Sequence, residues 1–179
     1  MANHNLFQPI SMHSDDLNVL IKTGQCAAAL DNGNLVLLGD PLTTLMGKAD
    51  LGAYVAIAAT GDGLLAIVDD PEVMEDELGY RLDNVRDPRT RFIPANRPFR
   101  VRIPQKFDEF AVTAALVTGT PNGTNKYVIV DASNHGSYAA VAAGGTSSAD
   151  FIGEIIDFDY VFSVGTTKVA GYRIRVIKA

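Results

Sequence analysis

The segment TGQCAAALDNGNLVLLGD, Thr23 to Asp40, governs how the rest of the chain is read. Asp31-Asn32-Gly33 is a strong hairpin signal, because Asn and Gly accept the positive φ that a two-residue turn requires. A half-exposed hairpin alternates apolar with polar residues, and these flanks do not. Cys26, Ala27, Ala28, Ala29 and Leu30 run unbroken before the turn, and Leu35, Val36, Leu37 and Leu38 after it. Strands that are apolar on both faces belong inside a closed barrel or between layers. The second face is therefore covered either by the rest of this chain or by another chain.

Working outward, Gly61-Asp62-Gly63 and Pro121-Asn122-Gly123 predict two further hairpin turns between apolar arms. Ala53 to Ala59 could form a helix, but Gly52 and Gly61 bound a segment too short for an independent one, so a strand is preferred. In GYRIRVIKA, Tyr172, Ile174 and Val176 share one face while Arg173, Arg175 and Ile177 share the other, the pattern of a half-exposed strand. Short strands between glycine turns predict a mostly β, single-domain β-barrel or β-sandwich over residues 15–179, with long loops. Residues 1–14 are polar and read as an extended N-terminal arm that is ordered only if something holds it. The predicted core is Cys26, Leu30, Val36, Leu38, Val55, Ile57, Ile67, Val128, Val130, Ile155 and Ile174.

Chemistry is sparse. The 179 residues carry a net charge of −6, which gives no support to nucleic-acid binding. A single cysteine, Cys26, excludes an internal disulfide framework and any CxxC motif, and its apolar neighbours predict a buried, inert thiol. The N-terminus lacks the basic segment and apolar core of a signal peptide, and no run reaches the ~20 apolar residues of a membrane-spanning helix. His4, His13 and His135 stand in no ligand-spaced motif, and His135, in SNHGS, reads as a solvated turn residue. Gly144-Gly145-Thr146-Ser147 lacks the lysine and glycine spacing of a phosphate loop. The expectation is a non-enzyme with no catalytic, cofactor-binding or metal-binding residues and no cofactor.

Two charge clusters stand out. DDPEVMEDE places Asp69, Asp70, Glu72, Glu75, Asp76 and Glu77 within nine residues. It reads as a solvated helical turn capped by Asp70, as a calcium site without the usual glycine, or as a surface that meets a basic partner. RDPRTRFIPANRPFRVR carries Arg86, Arg89, Arg91, Arg97, Arg100 and Arg102 among prolines, with Phe92 and Phe99 interleaved. Proline holds such a segment extended, and arginine with phenylalanine suits a protein–protein contact. The balances are +5 over residues 86–102 and −6 over residues 69–77. In an assembly the two could pair between neighbouring chains, with Phe92 and Phe99 as anchors, or within one chain.

The layout of MANHNLFQPI, IKTGQCAAALDNGNLVLLG, AIVDDPEV and GEIIDFDYVFSVGTTKVAGYRIRVIKA resembles the decoration, or cement, proteins that coat the head shells of tailed bacteriophages. The resemblance covers most of the chain, through motifs of low specificity. It implies a β-rich virion protein, assembled in the host cytoplasm, that binds the major capsid protein from outside, often as a homotrimer. No membrane or direct nucleic-acid partner is expected. A different virion part (a head fibre base, a head–tail adaptor or a tail component) fits the same chemistry, as does a small-ligand binder or enzyme on a β-barrel.

Overall fold

Turn residues every few positions leave segments too short for independent helices, and the Val, Ile and Tyr within them favour extended backbone. The computed structural model, which describes residues 4–42, 44–45, 48–49, 53–60, 63–70, 92–164 and 166–179, is accordingly mostly β. The first half contains β1 (Phe7–Ser11), the one-turn helix α1 (His13–Asp16), β2 (Ile21–Gln25), β3 (Leu35–Pro41), β4 (Thr44–Leu45), β5 (Lys48–Ala49), β6 (Ala53–Ala58) and β7 (Leu64–Val68). The second contains β8 (Pro98–Arg102), β9 (Glu109–Thr113), β10 (Val117–Thr118), β11 (Tyr127–Val130), β12 (Tyr138–Val141), β13 (Ile152–Val164) and β14 (Thr167–Lys178). Strands β2-β6-β3-β7-β8 close into a barrel, and β1-β9-β14-β13-β11-β12-β10 form a seven-stranded sheet.

The second face of the run after the turn is covered within the chain, whereas Ala27, Ala28 and Ala29 before the turn are exposed. On β3, Val36 and Leu38 point into the barrel with Ala66, Val68, Phe99 and Val101. Leu35, with Leu37 beside it, faces the other way and joins Ile67 of β7 in a second core with Phe110, Val112, Val128, Tyr138 and Ile174 of the large sheet. An unbroken apolar run is what a strand needs when one face lines a barrel and the other is the floor of a second layer. Of the predicted core, Cys26, Leu30, Val36, Leu38, Ile67, Val128, Ile155 and Ile174 are buried.

The exceptions have a steric cause. Val55 and Ile57, predicted as core, are 40% and 55% exposed on the outside of β6. Phe99 occupies the barrel interior so closely that a Cβ on Gly24 would lie 3.1 Å from its ring and 3.3 Å from Ala56. Beside that ring the inward positions of β6 take a small residue, Ala56, with the partly buried Tyr54, and the larger aliphatics are left outside. Val130 is half-buried, packed against the edge of the second core.

The turns are also not hairpins. β2 and β3 flank β6 and do not pair with each other. β6 and β7 both run antiparallel to β3, one on each side of it. β10 and β11 flank β12 in the same way. Each predicted turn therefore links strands that admit a third between them; Gly61 and Asp62 themselves lie outside the described residues. The residues before the first turn are not a strand: Leu30 makes one isolated bridge, to Ile93. Leu17 and Val19, which alternate with polar residues, follow α1 in a 3-10 turn (Asn18–Leu20) and are exposed. Within the N-terminal segment, β1 pairs antiparallel with β9 and His13 opens α1, so this chain itself holds the segment.

Candidate functional site

The charge clusters meet inside one subunit where they are described. Asp69 follows β7 and faces β8, so its carboxylate accepts hydrogen bonds from Arg100 Nη2 at 2.8 Å and from Arg102 Nε. Arg102 is buried, and its Nη1 donates to Ser14 Oγ at 2.8 Å and Asp15 Oδ1 at 2.5 Å, fastening α1 to the barrel. Burial pulls the Arg102 pKa down, but the bonds and charges of Asp69 and Asp15 outweigh it and hold the pKa above its usual value. Phe99, expected as an interface anchor, is 2% exposed and belongs to the barrel core. Asp70 exchanges backbone bonds with the Asn32 side chain, which ties the acidic segment to the Asp31-Asn32-Gly33 turn. Arg97 is exposed beside a turn closed by its N–H on Pro94 O. Arg86, Arg89, Arg91, Glu72 and Glu75, with Asp76 and Glu77, lie outside the described residues.

The sequence reading missed the turn between β8 and β9. Asp108 is fully buried and accepts bonds from the backbone N–H groups of Gln105 and His13, both at 2.8 Å, while His13 Nδ1 lies 2.5 Å away. Between those anchors, the Phe107 N–H donates to Val176 O and the backbone is forced to φ +76°. A bulky residue in that left-handed region is strained by roughly 1–3 kcal/mol, and such strain persists only where its surroundings impose it. Here it turns the phenyl ring outward, leaving Phe107 66% exposed. Phe107 lines a shallow depression with Ser11, Met12, His13 and Asp16, directly before the exposed Leu17 and Val19. No motif announces this; the only sequence signal is a large aromatic between Lys106 and Asp108 where turn chemistry favours Gly or Asn.

A second concave feature lies at the other end of β1. His4 and Asn5 reach Asp31, which accepts from Asn5 N at 3.2 Å and Nδ2 at 3.1 Å, with His4 Nδ1 at 2.8 Å. The His4 ring stacks on Phe92, at 5.2 Å between centroids. Nearby, Asp131 is held below its usual pKa: burial raises it, but bonds from the Thr118 hydroxyl and the Ser133 and Asn134 N–H groups prevail. Among the described residues no three His, Cys, Asp or Glu side chains are grouped to hold a metal, and no helix is long and apolar enough to cross a membrane. Set against models of protein families, curated protein sequences and solved structures, the chain matches none.

Proposed function

We propose that the chain is a structural assembly protein that coats the outside of a phage head shell and stabilises it, docking on the major capsid protein as a homo-oligomer, with a trimer favoured. The observation that carries the reading is Phe107, a large apolar side chain held out to solvent by a strained backbone locked between Asp108 and Val176. Within the chain the Lys106 ammonium lies over the ring, 5.1 Å from its centroid, and most of the side chain stays in solvent. An aromatic anchor presented rigidly beside Met12 and His13 suits an interface centre, where aromatic side chains are enriched. The uncovered strip of Val55 and Ile57 on the barrel offers a further apolar surface for a neighbouring copy. The resemblance of the sequence layout to decoration proteins suggests the surface to be met.

Purified virions carrying the chain, examined by mass spectrometry and then by density mapping, test this. The expected result is many copies on the outer shell with Phe107 in the contact. Absence from the virion, or a contact that leaves Phe107 in solvent, would overturn the docking assignment. In co-sedimentation with shells, Phe107→Gly is expected to lose binding while remaining folded.

A further inference from the structure

We propose that the cleft at the His4 end of β1 binds a neutral saccharide. The cleft measures about 420 Å³, within the roughly 300–1,000 Å³ of small-molecule sites. Four separate stretches build it: His4 and Asn5 from the arm, the segment leading through the Asp31–Asn34 turn, Ala115 and Leu116 ahead of β10, and the turn at residues 134–137, with Phe92 on the rim. Its floor is rigid. Asp31 N donates to Asn34 Oδ1 at 2.7 Å, Asn34 Nδ2 donates to Gly136 O at 3.0 Å, and the buried Tyr138 hydroxyl donates to Gly33 O at 3.1 Å. These bonds order the cleft in advance of any ligand, which lowers the cost of binding.

The groups left over define the ligand class. His4 uses Nδ1 on Asp31, so Nε2 is the ring nitrogen left for a ligand. Asn134 uses Nδ2 on Ser137 Oγ and keeps its Oδ1, and the exposed His135 ring makes no hydrogen bond among the described residues. Imidazole nitrogens and an amide oxygen suit hydroxyl groups, each of which can donate or accept. The Asp31 carboxylate is already met by three donor groups, and no Lys or Arg is found among the described lining residues, so neither a cation nor a phosphate is favoured. Phe92 is 45% exposed with His4 stacked on its ring, leaving apolar ring surface open. The slightly positive C–H groups of a pyranose pack on the negative face of such a ring.

The test is a titration of the full chain with glucose, galactose, N-acetylglucosamine and their β-linked oligomers, with sodium phosphate as the anionic control, read by the imidazole NMR signals. The expected result is saturable binding with a Kd of about 1 mM or tighter that shifts His4 and His135 and is weakened about tenfold in Phe92→Ala. Preference for the oligomer would indicate a polymeric glycan and preference for the monomer a free sugar; both support the class. His135→Ala, an exposed change that leaves the folded core alone, is expected to weaken binding as well. No shift with any sugar, equal response to phosphate, or binding indifferent to both variants would overturn the proposal. The inference is independent of shell docking, since Phe107→Gly is expected to leave sugar binding unchanged.

Discussion

Phe107 and Gly33 both sit at positive φ, +76° and +85°, and the residue type at each assigns a different purpose. Gly33 is the residue its turn requires. A Cβ there would lie 2.8 Å from Leu116 Cδ1, so Gly33→Ala adds a clash to backbone strain. It is expected to cost about 1–3 kcal/mol, seen as a lower urea midpoint with unchanged slope. At Phe107 the substitution runs the other way. Phe107→Gly relieves the strain and removes an exposed ring, and is expected to raise stability by about 0.5–1 kcal/mol even as the proposed docking is lost. An unfolding curve showing destabilisation would mean the ring serves the fold. Of these two residues Gly33 was legible, because a glycine after Asp-Asn marks a positive φ. Lys106-Phe107-Asp108 does not, because the positive φ is imposed by Val176 and by His13, residues distant in sequence.

Among the elements, β14 was the easiest to read and the hairpins the hardest. The Tyr172, Ile174, Val176 face packs as its alternation says, and Arg173 and Arg175 on the other face meet Glu109 of β9, with Arg175 Nε at 2.8 Å and Arg173 Nη2 at 2.5 Å. Burial raises the Glu109 pKa, but the two arginines outweigh it and hold it below the usual carboxylate range. A depressed carboxylate stabilises the fold above its unfolded pKa and loses that contribution as pH falls through the folded value. The β9–β14 seam is therefore expected to weaken below about pH 4. Glu109→Gln, followed by thermal melts across that range, should flatten the acid limb and lower stability at pH 7. The hairpins failed for a general reason. Turn residues specify that the chain reverses and leave open which strand it then pairs with, so β6 could enter between β2 and β3. The same gap hid Val55 and Ile57, whose exposure follows from the bulk of Phe99, a partner 40 residues and more away in sequence.

At the scale of the whole molecule, β3 is the shared wall: one face closes the barrel and the other is the floor on which the seven-stranded sheet packs. The β class and the buried flank of the first turn were legible from the unbroken apolar run. Its cover was not, because composition cannot separate a second layer of the same chain from a neighbouring subunit. The arm secures this arrangement from the edge. Deleting residues 1–14 would remove β1 from β9, His13 from Asp108 and Ser14 from Arg102. The shortened chain is expected to melt at a clearly lower temperature and to aggregate through the freed β9 edge. The chain covers its own core and is therefore expected to fold without a neighbour. Scanning calorimetry of the dilute chain over a range of concentrations tests it most directly. One transition is expected for barrel and sheet together, with equal calorimetric and van't Hoff enthalpies and a Tm independent of concentration. Two separate transitions, or a Tm that climbs with concentration, would contradict it.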